Sequence, residues 1–328
     1  MKLATYSADG QQKVGLIHSN DTKLFDVAAA AARNGSNPAF ASMLALIDAG
    51  PAALDQAREL FDKNAGDESL SVAVAGAEIL APVPEPRQCR DGMSFPIHIL
   101  GAPKGQRRLA ARANNDLEEL ARIDAEPPGE LPEVYKKIPI YYITNRFSVK
   151  GTNTVVKWPR YSKVMDYELE FGIITQNKGA NISAAKAKDH IFGYTIFNDF
   201  SARDAQRLEM EGRLGPAKGK SFDGGNVMGP WIVTPDEIGD PYQLKMECRV
   251  NGEVRSSGVT DGMLFSFEEL IAHITQDETL MPGEFIGSGT VGNGCGLELG
   301  WYLEHIDEIE LEVEKIGVLK NKVVRQDM

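Results

Sequence analysis

A chain of 328 residues, 42% hydrophobic and 25% charged, has the composition of a globular protein and enough length for more than one folding unit. Its formal net charge of −12 argues against nucleic acid or an anionic membrane as partner, and it means that an anionic ligand must be met by gathered cations or a metal. No apolar run is long enough for a spanning helix and the first ten residues lack a signal-peptide core. Cys89, Cys248 and Cys295 have no paired spacing, which argues against a disulfide framework or a zinc site, so a cytoplasmic protein is expected.

In chain order, strand-like runs at Leu3–Tyr6 and Lys13–His18 flank Ala8-Asp9-Gly10, a hairpin turn. Helices follow at Pro38–Asp48 and Pro51–Asn64, each opening on a first-turn proline and carrying apolar residues at helical spacing. The proline-rich run Ala81–Arg87 reads as a linker. It divides the chain into a small α/β N-terminal domain (1–80), a linker (81–88) and a larger domain (89–328). That larger domain begins with a charged helix, Gln106–Ile123, and the loop Pro127–Pro132. Strands then dominate: Ile138–Ile143, Tyr167–Thr175, Tyr194–Asp199, Trp231–Thr234, Leu244–Val250 and Glu308–Val313. Short helices intervene at Ser183–His190 and Phe267–Ile274, and Asn251-Gly252 marks a hairpin. The pattern is strand-rich α+β rather than a regular βαβ alternation. No glycine-rich phosphate loop follows a strand, so no nucleotide cofactor is indicated.

Glu168 and Glu170 stand two apart in the strand-like run Met165–Thr175, so both project to one face. Side-by-side carboxylates need a cation or a proton to relieve their repulsion. Asp199 ends the next strand-like run and supplies a third. Oxygen-only donors suit a hard divalent ion, Mg²⁺ or Mn²⁺, that keeps positions open for water or substrate. The competing reading is a pair of solvated acids on a half-exposed strand.

Five runs together resemble the fumarylacetoacetate hydrolase family, in family order. They are Asp166-Tyr-Glu-Leu-Glu170, Asn198-Asp-Phe-Ser-Ala-Arg-Asp-Ala-Gln206, Gly219-Lys-Ser-Phe222, Pro282-Gly-Glu-Phe-Ile-Gly-Ser-Gly-Thr290 and Leu297-Glu-Leu-Gly-Trp301. The resemblance spans residues 86–328 and implies a mixed β-roll catalytic domain and a homodimer. It implies Glu168, Glu170, Asp199 and Asp91 as ligands of Mg²⁺ or Mn²⁺, with Ca²⁺ as a crystal substitute. It implies His98 as the base, Glu298 as the carboxylate that orients it, and Lys220 as a catalytic cation. Arg203, Gln206, Thr290 and Arg146 fall at substrate-binding positions. Many smaller members carry Glu three residues after the lid His; here that position is Gly101, which favours a His98–Glu298 pairing. The charged segment 105–132 departs from the family pattern and is expected as a lid that sets substrate choice.

The expected activity is metal-dependent hydrolysis of a C–C bond in a β-diketo acid, fumarylacetoacetate- or acylpyruvate-like, in the catabolism of aromatic compounds or amino acids. One alternative is an isomerase, hydratase or decarboxylase that acts on a 2-oxo acid through an enolate. Another is a non-catalytic binder of metal and dicarboxylate.

Overall fold

The computed structural model describes residues 1–8 and 10–326. Its centre is a 12-stranded sheet whose main path begins Ser71–Ala73, Lys23–Asp26, Gln11–His18 and Lys2–Ala8. The path continues through Asn226–Val233, Ile191–Asp199, Glu170–Thr175, Phe285–Gly287, Cys89–Gly92 and Tyr141–Ile143. The N-terminal strands join the rest directly, because Lys2 pairs with Val233 and Leu3 with Ile232. A separate five-stranded sheet runs Glu253–Val259, Lys245–Val250, Glu308–Val313, Gly317–Arg325 and Val155–Trp158. The protein is a strand-rich mix of α and β, and no helix among the described residues is long and apolar enough to cross a membrane.

Register decides what each face of the central sheet carries. Glu170 opposes Phe197, Ile174 is in register with Phe285, and Gly287 is in register with Asp91. Directly opposed residues share a face, as do residues two apart in a strand. One face therefore presents Cys89, Phe285, Ile174 and Phe197, which belong to one apolar cluster, and at its other end presents Asp91, Glu170 and Asp199. The opposite face presents Phe171, Ile173, Ile196 and Ile286 to the second cluster. Gly287 lies where a side chain would fill the acidic end: a Cβ there would sit 2.3 Å from the Asp91 Oδ1.

Several elements differ from the sequence expectation. Glu168 is outside the regular ladder, which starts at Glu170, and makes an isolated bridge with Cys295. The Gln106–Ile123 helix is two helices, Pro96–Ala113 and Leu117–Ala125, parted where Asn115 takes a positive φ of 55°. Pro38–Asp48 is a 3-10 turn, Pro38–Phe40, and a helix, Met43–Ala49. Ser183–His190 is 3-10 helix, Ala184–His190, and the strand expected from Ile138 begins at Tyr141. Pro51–Asn64 and Phe267–Ile274 match, the latter held by a capping box between Ser266 and Glu269. Of the turn expected at Ala8-Asp9-Gly10, Asp9 lies outside the described residues; Ala8 and Gln11 are paired across it.

Candidate active site

Asp91, Glu168, Glu170 and Asp199 are each at most 3% exposed, and each offers a carboxylate oxygen within 4.8 Å of the others. Two unit charges about 4 Å apart repel by about 4 kcal/mol at an effective dielectric constant of about 20. Four such groups cannot all stay ionised without compensation. Part of it comes from Lys220, whose Nζ donates to Glu168 Oε2 and Asp199 Oδ2, both at 2.6 Å. Arg203 donates from Nη2 to Glu168 Oε1 at 2.7 Å and from Nε to Asp166 Oδ2 at 2.8 Å. Burial pushes the Glu168 carboxyl up, but the Lys220 and Arg203 charges outweigh it and hold the group well below the usual range. The same two carboxylates keep the Lys220 ammonium raised against the cost of its burial, so Lys220 acts here as a fixed cation and not as a base.

Among the described residues Asp91 and Glu170 have no ion pair, and Asp199 pairs with Lys220 alone. Burial raises Asp91, Glu170 and Asp199, and neighbouring carboxylates push each of them further. Asp91 Oδ1, Glu170 Oε2 and Asp199 Oδ1 are buried without a hydrogen-bond partner. Three orphaned, converging carboxyl oxygens are the donor set of a hard divalent cation. The other oxygens of Glu170 and Asp199 are tethered: Thr290 Oγ1 donates to Glu170 Oε1 at 3.0 Å, and the Tyr142 hydroxyl donates to Asp199 Oδ2. The residues present fit a divalent metal.

His98 lies in the first turn of the Pro96–Ala113 helix and is 6% exposed. Its Nδ1 pairs with Glu298 Oε2 at 2.9 Å, and Glu298 Oε1 accepts the Asn293 amide at 3.0 Å. A Nδ1–H donated to a carboxylate leaves Nε2 as the basic nitrogen. Gly101 leaves room for the pairing, since a Cβ there would press on Glu298 Oε1 at 3.0 Å. The backbone under Glu298 is pinned by Asp166, which accepts the Gly296 and Leu297 amides at 2.7 and 2.8 Å while also holding Arg203. One buried carboxylate therefore couples the cationic side of the nest to the turn that carries the histidine's partner.

Gln206 accepts from Arg203 Nη1 at 3.0 Å and from Gln106 Nε2 at 3.4 Å, which links the 105–132 segment to the site. Arg146 is not brought to the cluster: it donates to the Pro86 carbonyl at 2.9 Å and stacks on Phe147. Sequence reading missed Asp166, Tyr142, Cys295 and Gln106. Asp166 alone carried a signal, because it stands two residues before Glu168. Two cavities of about 410 and 450 Å³ lie elsewhere, around Tyr242–Glu268 and around Leu80–Lys150, and none of the cluster residues lines them.

Fold and site define a strand-rich α/β protein with a buried carboxylate nest that could hold a divalent cation and a histidine–carboxylate pair beside it. Residues 109–324 match the family model "Fumarylacetoacetate (FAA) hydrolase C-terminal". The chain belongs to the fumarylacetoacetate hydrolase family. Oxaloacetate tautomerase YisK of Bacillus subtilis is 32% identical over 330 residues, 98% of this chain and all of that one. The human mitochondrial oxaloacetate tautomerase FAHD2A is 40% identical over 189 residues, 57% of this chain, and the match spans only 60% of that protein's length. Among solved structures, the fumarylacetoacetate hydrolase of Exiguobacterium antarcticum superposes with a TM-score of 0.71 at 26% identity, covering 99% of this chain and all of that one. Family members are thus named as both tautomerases and hydrolases.

Proposed function

We propose that this protein is a divalent-metal-dependent tautomerase that interconverts the enol and keto forms of a small 2-oxo dicarboxylate, with oxaloacetate as the first substrate to test. What carries the reading is the end-to-end relationship to a named oxaloacetate tautomerase, 32% identical over 98% of this chain. Hydrolysis of a β-diketo acid, the activity first expected from the motifs, becomes the second reading. It keeps support from the 26% identity to a fumarylacetoacetate hydrolase and from a base that would serve equally on water.

Asp91, Glu168, Glu170 and Asp199 would hold Mg²⁺ or Mn²⁺. Bound there, the ion supplies Lewis acidity to the oxygens of a 2-oxo acid. The chain's own residues supply the proton transfer. From the keto form His98 accepts the C3 proton at Nε2 and passes it to O2; from the enol form it takes the O2 proton and delivers it to C3. Glu298, paired with Nδ1, stabilises the imidazolium formed in between. Lys220 and Arg203 keep Glu168 ionised and lend positive potential where enolate charge develops. Gln206 and Thr290 would orient substrate, and a homodimer is the assembly to look for by sedimentation.

The test is a set of acids with Mg²⁺ or Mn²⁺: oxaloacetate, fumarylacetoacetate and an acylpyruvate, followed by enol absorbance and by product analysis. Accelerated ketonisation of oxaloacetate with no carbon bond broken supports the tautomerase. Two carboxylic acid products from a diketo acid, with no effect on oxaloacetate, would sink it in favour of hydrolysis.

A further inference from the structure

Beside the hard carboxylate nest lies a second cluster of different chemistry. Cys295 Sγ is 3.3 Å from Glu298 Oε2 and 3.9 Å from His98 Nδ1, and those two are 2.9 Å from each other. Cys295 is fully buried, and the side chains of His98 and Glu298 are 8% and 2% exposed. Among the described residues this is the one group that joins a thiol to an imidazole and a carboxylate. We infer that His98, Cys295 and Glu298 form an inhibitory site for a thiophilic divalent cation, zinc foremost, separate from the Mg²⁺/Mn²⁺ nest.

The triangle has the right dimensions. Bonds of about 2.0 Å to nitrogen and oxygen and about 2.3 Å to sulfur close its edges at angles of about 90°, 100° and 130°, scattered around the tetrahedral value. Three protein ligands leave the fourth position for water. Thiolate and carboxylate together neutralise the dication, so the filled site is itself neutral. Selectivity follows from donor type: the sulfur favours zinc over Mg²⁺ and Mn²⁺, while the all-oxygen nest favours the harder ions. The spacing of the three cysteines along the chain argues against a zinc site built on paired cysteines; this one needs a single cysteine and is assembled by the fold.

Occupancy would silence the base. Zinc binds through His98 Nδ1, so the imidazole proton moves to Nε2, the nitrogen that must be free to accept one. The Cys295 thiol proton leaves to solvent, one per ion bound. Without zinc the same atoms form a hydrogen-bonded trio, in which Glu298 Oε2 accepts from both neighbours.

The experiment uses the full chain saturated with Mg²⁺ and titrated with Co²⁺ as a spectroscopic stand-in for zinc. An intense near-ultraviolet thiolate-to-cobalt band, with the visible bands of a four-coordinate ion, is expected at one equivalent. Zinc should abolish it, and it should be missing in Cys295→Ser. No such band in the natural chain, or a band retained in Cys295→Ser, overturns the site. Glu298→Gln keeps the thiol and guards against a serine variant that does not fold. Its cobalt affinity should fall tenfold or more, and an unchanged affinity would also overturn the site. These readouts do not depend on which reaction the enzyme runs. In the tautomerase assay zinc should inhibit and excess Mg²⁺ should not relieve it; relief by Mg²⁺ would place the zinc in the carboxylate nest instead.

Discussion

The strand Cys89–Gly92 carries buried charge on both faces, and the two clusters are built on opposite logic. Arg90 points one way and donates to Glu284 and Glu278, with Arg90 and Glu284 each 3% exposed. Asp91 points the other way, toward Glu170 and Asp199, with no cation of its own. The first cluster pairs opposite signs: one arginine meets the buried Glu284 and the more exposed Glu278, with only its Nε left without a hydrogen-bond partner. The second gathers like signs and leaves three carboxyl oxygens without a partner. Buried charge alone therefore does not mark a site in this protein. Buried charge that the fold leaves uncompensated does, because folding tolerates it only where something else is meant to bind.

The largest expected effect separates the clusters by activity. Glu170→Gln removes one of the orphaned oxygens, and turnover should fall about 10²–10³-fold or more, with a parallel loss of Mg²⁺ or Mn²⁺ affinity by calorimetry. Chelation of the natural protein should reproduce the loss, and added metal should reverse it. Activity that survives both treatments would return the nest to an ordinary acidic pocket. Arg90→Met makes the converse break. It strands Glu284 in the interior, so urea denaturation should show about 3–5 kcal/mol of lost stability, while metal affinity in the folded protein stays within a few-fold. A metal affinity that collapses with Arg90 would merge the two clusters into one.

How much of this was readable follows the same division between local and assembled features. The helices at Pro51–Asn64 and Phe267–Ile274 and the strand Glu308–Val313 were legible, because periodicity, a first-turn proline and a capping box act locally. So was the Glu168/Glu170/Asp199 set, which the structure does bring together, although Glu168 precedes the regular strand and is held by an isolated bridge to Cys295. The Pro96–Ala113 helix was not legible at its start. Gly101, Pro103 and Gly105 read as breakers, yet packing against the Gly296–Leu299 turn overrides propensity. Gly105 is needed there, since a Cβ would meet the Leu297 carbonyl oxygen at 2.3 Å. Cys295 and Tyr142 join the site only through tertiary contacts, and nothing in their spacing announces it.

Acid–base linkage gives the next effect. Asp91, Glu170 and Asp199 have carboxyls raised in the folded protein, by burial first and then by one another or by Glu168. Metal-free, their contribution to stability is complete below about pH 4, where unfolded carboxyls titrate, and is lost as pH rises through the raised folded values. Glu168 runs the other way: its depressed value adds stability that is already complete above that pH. Between pH 5 and 8, therefore, the thermal midpoint in chelator should drop as pH rises, and saturating Mg²⁺ should flatten or reverse the slope. Identical slopes with and without metal would mean that the nest is not where the ion binds. The Arg90 cluster should not respond to metal at all.

The smallest effect probes how the nest is aimed. Tyr142 sits on the edge strand Tyr141–Ile143 and donates its hydroxyl to Asp199 Oδ2, the oxygen that Lys220 also holds. That leaves Oδ1 without a hydrogen-bond partner, like Asp91 Oδ1 and Glu170 Oε2. Tyr142→Phe keeps the ring and its packing, deletes one donor, and leaves Lys220 to hold Asp199 alone. Outer-sphere partners of this kind are worth about 10–100-fold in metal affinity. A loss near the lower end is expected, because one of two tethers remains, and the denaturation midpoint should hardly move. If affinity is unchanged, Lys220 alone orients Asp199, and the nest is aimed by its ion pairs rather than by the strand at the sheet's edge.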